Sequence, residues 1–573
     1  MDFLQLKKNC KKDKTGLPIY KLAIMGDCAT QHLATAMEGY GFEKGLYIQV
    51  LDTDYNQILA QTFDPSSEIY SFSPDAVMIV NCVEMLYGKF TETVLAERTS
   101  FAENILESMT AIWETLQQNG IKKILQFNYP EYDDKVFGSY GNKVEASFLF
   151  QLRKLNFLLM EQAAHRGNVH IVDVASLQNT TGRNGFHDAK LYYIAKMPFS
   201  MDSLPLVAKE AYGIIAAIRG QIKKCVVLDL DNTLWGGVIG DDGLENIQIG
   251  ELGLGHAFYE FQKWLKELTK RGILLAVCSK NDEDKAKEPF LKHPEMVLRL
   301  EDIAMFVANW EDKASNIKTI QETLNLGMDS FVFIDDNPFE RGVVRGLIPE
   351  ITVPEMPEDP ALYVCYLQSL NLFETVSYSS EDADRTKKYQ EEAGRVTLKK
   401  QFADYDTYLK ELEMVAECKA FDSFQAPRIA QLTQRSNQFN LRTIRYSEED
   451  ILRIASDDRY ITRYFTLKDR FGDHGLISVL IMEKQGDALF VNTWLMSCRV
   501  LKRGMEEFII NSLMEVAMEA GAKTVIGEYI KTPKNAMVED IYGKMGFTAD
   551  GEGRFLCAVE NYQKQKSYIQ KAE

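Results

Sequence analysis

Asp229 and Asp231 stand two residues apart at the end of the apolar run Cys225-Val226-Val227-Leu228. The period-two geometry of a strand turns both carboxylates toward one spot where the strand stops. Such a pair suits phosphoryl transfer, with Asp229 attacking phosphorus while Asp231 protonates the leaving oxygen and later activates water. Thr233 and Gly236-Gly237 suit a tight turn with free amides. A second apolar run over 273–278 delivers Ser279, whose hydroxyl can hold a phosphoryl oxygen. Lys313 opens a helix-period segment with Ile317, Ile320 and Leu324 on one face, and its ammonium can neutralise phosphoryl charge. A third run over 331–334 ends in Asp335-Asp336. Hard oxygen ligands from Asp229 and this acidic pair suit one Mg²⁺.

These groups lie at the carboxyl ends of strand runs that alternate with helical patterns, which is where an open parallel sheet places its site. Asp229-x-Asp231-x-Thr233, Ser279, Lys313 and Asp335-Asp336 resemble, in order and spacing, the four motifs of the haloacid-dehalogenase-like (HAD) phosphatases. The wording over 231–240 (DNTLWGGVIG) and 333–338 (FIDDNP) resembles the FkbH-like branch of that superfamily. The resemblance implies Asp229 as nucleophile, Asp231 as acid/base, and Thr233, Ser279 and Lys313 as phosphate holders. It implies Mg²⁺ bound by Asp229, the backbone carbonyl of Asp231, and Asp336, with Asp335 supporting. Residues 235–255 read as a short flap without room for a large cap, and Trp235 either closes the pocket or packs. An amphipathic helix is expected over 256–270.

A chain of 573 residues is expected to form three or four domains. The formal charge of −18 opposes nucleic-acid phosphates, and an acidic partner would need a local basic patch. No apolar stretch is long enough to span a bilayer and no signal-peptide core follows the N-terminal lysines, so a cytoplasmic protein without a membrane partner is expected. The nine cysteines are scattered without a C-x-x-C pair, suggesting neither a disulfide framework nor a zinc cluster.

The fold class expected is α/β multidomain. Residues 1–217 alternate strands (20–25, 76–80, 121–127, 169–174) with helices (100–118, 145–165), giving a flavodoxin-like or SGNH-hydrolase-like three-layer domain. Gly26-Asp27-Cys28 and Asn81 resemble the first and third blocks of SGNH-type hydrolases, with cysteine in the nucleophile's place. Phe186-His187-Asp188 offers a base in reversed order, making Cys28, Asn81 and His187 a possible site, although a vestigial docking fold is the favoured reading. Residues 218–354 form the HAD-like Rossmannoid domain. Residues 355–420, heavily charged over 379–412, are expected to form a solvated helical connector.

Residues 421–573 read as an antiparallel meander, a helix over 503–521, a strand over 523–529 and a final helix from 535. This order resembles the GNAT acetyltransferase fold, in which Tyr542 corresponds to a tyrosine that protonates a thiolate leaving group. The coenzyme A loop of that fold departs here: 497–506 (SCRVLKRGME) has one glycine, and Glu506 stands where a second small residue belongs. An acid there opposes a pyrophosphate, so free coenzyme A is not the expected ligand. The phosphopantetheine arm of a carrier protein is, in the groove beside the splayed strand, with its phosphate on Arg499, Lys502 or Arg503. Residues 434–440 (QRSNQFN) and 496–501 (MSCRVL) again resemble the FkbH-like family. That resemblance implies a glyceryl thioester on an acyl carrier protein, made from the small phosphorylated C3 substrate 1,3-bisphosphoglycerate, with Cys498 either the acyl-accepting thiol or a structural cysteine. The alternatives are a phosphatase of a small metabolite with structural flanking domains, or a non-catalytic interaction protein of a biosynthetic cluster.

Overall fold

Short runs of β-branched and aliphatic residues fix where the strands fall, because such side chains pack well on a pleated, buried surface. The computed structural model describes residues 1–378, 385–387, 389–390 and 404–572. The chain divides into two compact units, Met1–Ala217 and Ile218–Glu573. Among the described residues no helix is long and apolar enough to cross a membrane.

The first unit holds a parallel sheet of β1 (Ile19–Gly26), β2 (Tyr47–Asp52), β3 (Ala76–Val80), β4 (Ile124–Phe127) and β5 (Val169–Val172). Its order, β2-β1-β3-β4-β5, is that of the flavodoxin-like doubly wound fold. Helices Phe101–Gln118 and Phe148–Ala164 cover it, and the buried Trp113 donates to Gln126 Oε1 at 3.0 Å. The sequence reading missed β2, whose edge position leaves it only partly buried and without a continuous apolar run.

In the second unit, β6 (Cys225–Leu228), β7 (Leu274–Ser279), β8 (Ile303–Ala308) and β9 (Phe331–Ile334) form a parallel sheet in the order β8-β7-β6-β9. β6 and β9 are buried along their whole length. Adjacent β6 and β9 therefore carry Asp229 and Asp335-Asp336 to the same edge. The helix Gly255–Lys270 buries Phe258, Phe261 and Leu265 against one face.

The last sheet comprises β10 (Val415–Lys419), β11 (Tyr460–Asp469), β12 (Gly472–Gln485), β13 (Ala488–Met496), β14 (Thr524–Glu528), β15 (Thr548–Ala549), β16 (Arg554–Ala558) and β17 (Gln570–Lys571). It runs β15-β16-β14-β13-β12-β11-β10-β17, antiparallel except where β13 meets β14 and β10 meets β17. β13 and β14 pair only through Ala488–Phe490 and Thr524–Ile526 and then part. This splayed parallel pair in an otherwise antiparallel meander is the GNAT-like arrangement.

Of the expected connector, residues 379–384, 388 and 391–403 lie outside the described residues, and so does most of the helix pair expected over 379–412. Its described ends belong to the flanking cores. Tyr363 and Leu367 pack into the phosphatase-like core, whereas Tyr408 and Leu409 pack under the last sheet. The final helix expected from 535 is reduced to two short turns, Ala536–Val538 and Ile541–Lys544.

A Cβ on Gly527 would lie 2.4 Å from the Tyr542 ring. Gly527→Ala must push that ring off β14 and is expected to destabilise the C-terminal domain by about 1–3 kcal/mol, read as a lower urea midpoint in the transition that reports this domain.

Candidate active site

Asp229 follows β6 and donates its amide to the Ile334 carbonyl at 3.0 Å, which locks the ends of β6 and β9 together. Each carboxylate of Asp229, Asp335 and Asp336 offers an oxygen, and the three oxygens lie within 4.8 Å of one another. Lys313, at the first turn of helix Lys313–Leu324, reaches between them, 3.0 Å from Asp229 Oδ2 and 2.6 Å from Asp335 Oδ2. Its side chain is 4 % exposed, so these carboxylates are its effective solvent. Ser279, at the end of β7, hydrogen-bonds Asp229. Thr233 Oγ1 accepts the Asp336 amide at 3.1 Å and donates to Asp336 Oδ1 at 3.3 Å.

Burial raises the carboxyls of Asp229, Asp335 and Asp336 above the usual aspartate range, Lys313 opposes this, and the neighbouring carboxylates add to it. The two carboxylates hold the Lys313 ammonium well above its ordinary value despite its burial. Three acids against one cation leave negative charge unbalanced in a buried place. A hard divalent cation such as Mg²⁺ fits this oxygen donor set.

The Asp231 carboxylate is not part of that cluster. Trp235 Nε1 at 3.0 Å and the Ile239 amide at 2.9 Å hold Oδ1, while Asn281 Nδ2 at 2.7 Å holds Oδ2. Trp235 is thus a buried positioning group, and it packs edge-on against Phe290. Asn232 adopts a left-handed φ of 55°, which asparagine tolerates, and its side chain accepts the Gly237 amide at 2.9 Å. Two positioning residues escaped the sequence reading. Asn281 also reaches Ser279 Oγ at 3.4 Å, and Arg341 Nη1 donates to the carbonyls of Asp335 and Asp336 at 2.8 and 2.6 Å. The segment Ser279-Lys280-Asn281 carried the signal for the first; nothing local marks the second.

The other expected groups are arranged differently. Cys28 is enclosed, with its Sγ 3.9 Å from the Val80 carbonyl, and burial together with Asp27, Glu84 and Asp52 pushes its thiol well up. His187 contacts the Pro198 carbonyl and Glu84 at 3.1 and 3.3 Å, while Asn81 binds Gln126 and Asp27. Asn81 and His187 line one small pocket, and Cys28 is not in its lining. The local charges therefore oppose a thiolate at Cys28.

In the C-terminal domain the splay between β13 and β14 is filled from within. The Met496 amide donates to Phe439 O at 3.0 Å, the Leu441 amide to Trp494 O at 3.2 Å, and the Ile530 amide to Leu441 O at 2.8 Å. The groove expected for a pantetheine arm beside β13 is thus occupied by the chain's own backbone. Glu506 accepts the Lys502 amide at 3.1 Å, so a carboxylate already partners that loop amide. Arg503 belongs to a buried cluster with His474 and Asp469, at 3.2 and 3.5 Å. The Lys502 carbonyl accepts the Tyr405 hydroxyl. Of the three expected phosphate cations, Arg499 lines the same cavity as Cys498, and Lys502 and Arg503 are not in that lining. Tyr542 is fully buried among Trp494, Phe547 and Phe555, a packing position away from the cavity's lining.

The fold and the carboxylate cluster together define a HAD-type phosphatase domain joined to a GNAT-like domain. Residues 21–216 match the family model described as the FkbH N-terminal domain. A crystal structure of the N-terminal part of the protein BF1531 from Bacteroides fragilis, containing a phosphatase domain complexed with Mg, is 48 % identical to this chain. It covers 66 % of this chain and 100 % of its own, with a TM-score of 0.63. The chain belongs to the FkbH-like family. The ribosomal-protein-S18-alanine N-acetyltransferase from Escherichia coli aligns at 14 % identity over 25 % of this chain and 91 % of its own, with a TM-score of 0.20. A spermidine N-acetyltransferase chimera from Vibrio cholerae aligns at 13 % identity over 26 % and 98 %, with a TM-score of 0.21. Among curated proteins, none matches the sequence.

Ionising carboxyls whose folded-state pKa lies above the unfolded value weakens the fold, so their contribution is present at low pH and lost as pH rises toward neutrality. A cation that binds the ionised cluster reverses that loss. Adding Mg²⁺ to chelator-treated protein is expected to raise the thermal midpoint more at about pH 7.5 than at about pH 5, where protons compete for the same oxygens. Equal gains at both values, measured by calorimetry, would count against the cluster as the metal site.

Proposed function

We propose that the chain is a Mg²⁺-dependent phosphatase and acyltransferase that loads a glyceryl unit from 1,3-bisphosphoglycerate onto the pantetheine thiol of an acyl carrier protein. The observation that carries the phosphatase half is the Asp229–Asp335–Asp336 cluster braced by Lys313. Asp229 attacks the phosphorus, and Lys313 and Ser279 hold the phosphoryl oxygens. Asp231, oriented by Trp235 and Asn281, gives its proton to the leaving oxygen and then takes one from water. When bound by Asp229, Asp336 and the Asp231 carbonyl, Mg²⁺ shields the nucleophile from the anionic substrate and polarises the phosphate. The identity with a phosphatase domain crystallised with Mg supports this half.

For the transfer half, the Cys498 sulfur attacks the acyl carbonyl; a C–S bond forms, and the C–O bond to phosphate breaks with its electron pair leaving on phosphate. The carrier thiol then displaces Cys498 from the thioester. Support comes from the placement of Cys498 in a cavity rich in cations, and from its half-buried position on the phosphatase-like core. The substrate is a metabolite of the cytoplasm, where we place the reaction. The N-terminal domain, without an activated thiol at Cys28, is assigned to docking.

The test is incubation of the intact protein with 1,3-bisphosphoglycerate and a holo carrier, followed by intact mass spectrometry. The wild type should yield a glyceryl-carrier. Asp229→Asn should lower phosphate-ester hydrolysis by at least about 10³-fold and leave a carrier heavier by one phosphoryl group. Release of inorganic phosphate with no carrier adduct would favour a simple metabolite phosphatase. Unchanged hydrolysis in Asp229→Asn would reject the mechanism.

A further inference from the structure

Acids outnumber Lys and Arg by 83 to 65 in this chain, yet residues 7–14 read KKNCKKDK. The first unit mounts that run on the helix Phe3–Asn9 and the turns that carry it on to Lys12. Phe3, Leu6 and Asn9 recur at helical spacing and are buried on the side that meets helix Gln31–Glu43. The Phe3 ring stacks on His32 at 5.3 Å, Asn9 Nδ2 donates to Gly39 O at 3.3 Å and Glu43 Oε2 at 3.1 Å, and the Cys10 thiol donates to Thr35 O at 3.2 Å. A Cβ on Gly39 would collide with the Leu6 carbonyl, so the two helices cross in close backbone contact. The basic run is therefore rigidly held.

Leu4, Lys7, Lys8 and Lys11 fall on the face opposite the buried one, and all four are exposed. Lys12 and Lys44, also exposed, extend this face, with their ammonium groups over the rings of Phe42 at 5.2 Å and Tyr40 at 5.8 Å. Among the described residues, none of these five lysines pairs with a carboxylate. The neighbouring acids are engaged in local structure: Asp2 accepts the Gln5 amide at 2.8 Å, Asp13 the Thr15 amide at 2.9 Å, Glu43 the Asn9 amide group, and Glu38 pairs with Lys14. On another surface of the chain, Lys564, Lys566 and Lys571 do find Glu515 or Asp406. One exposed ion pair contributes little, but several unpaired cations on one face attract an acidic partner across about one Debye length, ~8–10 Å. With a formal charge of −18, the chain as a whole repels such a partner. DNA or an anionic bilayer would extend past the patch onto a surface that is acidic on average, whereas a small acidic domain can rest on the patch alone. Leu4, 66 % exposed, supplies an apolar centre among the lysines.

We propose that the face formed by Leu4, Lys7, Lys8, Lys11, Lys12 and Lys44 is the docking surface for a small protein that presents an acidic helix, and that this partner is the acyl carrier protein. The partner's identity rests on the proposed function, and the face locates the docking assigned there to the N-terminal domain. A few exposed charges on a rigid helix give fast arrival and fast release, which suits a carrier that visits for one transfer.

The test titrates the full chain, in chelator and without substrate, into a fluorescently labelled holo acyl carrier protein and reads anisotropy at about 50 mM and about 300 mM salt. The wild type should bind at the lower salt and weaken at least about tenfold at the higher. Lys7→Glu, Lys8→Glu and Lys11→Glu combined should weaken low-salt binding at least about tenfold and flatten the salt dependence. Lys7→Gln, Lys8→Gln and Lys11→Gln combined, milder on the helix, should give a smaller loss in the same direction. Both variants should keep the thermal midpoint and the p-nitrophenyl phosphatase activity of the wild type, since none of these residues belongs to the Asp229 site. No binding by the wild type, or equal binding by the wild type and the charge-reversed variant, would overturn the proposal. Binding of a short DNA duplex or of phosphatidylserine vesicles without binding of the carrier would overturn it as well, and so would self-association of the wild type that the charge reversal abolishes while the carrier stays unbound. Binding is read without turnover, so failure of glyceryl transfer in the mass-spectrometric assay would count against the proposed function and leave the docking surface standing.

Discussion

The buried ammonium of Lys313, shared between Asp229 and Asp335, is the interaction on which the central domain depends. A carboxylate moved from water into a low-dielectric interior loses several kcal/mol of solvation unless partners replace it. Here one lysine offsets two acids, and the Asn337 amide at 2.8 Å and the Ser279 hydroxyl supply further donors. The lysine therefore keeps the end of the sheet assembled before any substrate arrives. The remaining unbalanced charge makes the place receptive to a divalent cation and its phosphate. Removing Lys313 would leave two buried carboxylates facing each other, so the fold and the proposed chemistry draw on one contact.

The C-terminal domain has a GNAT-like strand order, and the splay between β13 and β14 is filled from within. Backbone groups along a splayed parallel pair must be satisfied by something, and in this chain the segment Phe439–Leu441 does so. Asn535 holds that segment by donating to the Asn440 carbonyl at 2.9 Å. On the loop before the helix Met505–Glu519, the Glu506 carboxylate accepts the Lys502 amide. The same segment continues into Arg435 and Asn437, which bond Lys224 and Gly220 of the phosphatase-like layer through Lys224 Nζ to Arg435 O at 3.2 Å and Asn437 Nδ2 to Gly220 O at 3.0 Å. One stretch thus fills the splay and lines the cavity beside Lys224.

Asp229, Ser279 and Asp335-Asp336 were legible because each sits at the end of a continuous apolar run, where the strand period dictates where the side chain points, and Lys313 because it opens a helix-period segment. Ser279, Lys313 and Asp335-Asp336 needed no tertiary information beyond the parallel order of β6, β7 and β9. Arg341 was not legible, since its clamp on two carbonyls depends on a helix that returns over the site. The edge strands β2 and β17 lacked any apolar run. β8, at 303–308, does carry an apolar run, but no motif residue ends it. The filled splay could not be read at all, because a plug and a free loop have the same local pattern. Tyr542 shows the reverse: its motif context was clear, and long-range packing over Gly527 decides its surroundings.

Phosphorylation of the Asp229 side chain is the central step of the proposed mechanism. A crystal soaked with Mg²⁺ and beryllium fluoride tests this directly. The predicted result is beryllium bonded to an Asp229 carboxylate oxygen, with the ion held between Asp229 and Asp336 and fluorines facing Ser279 and Lys313. Beryllium fluoride bound to any other side chain, or an ion seated away from Asp336, would contradict it.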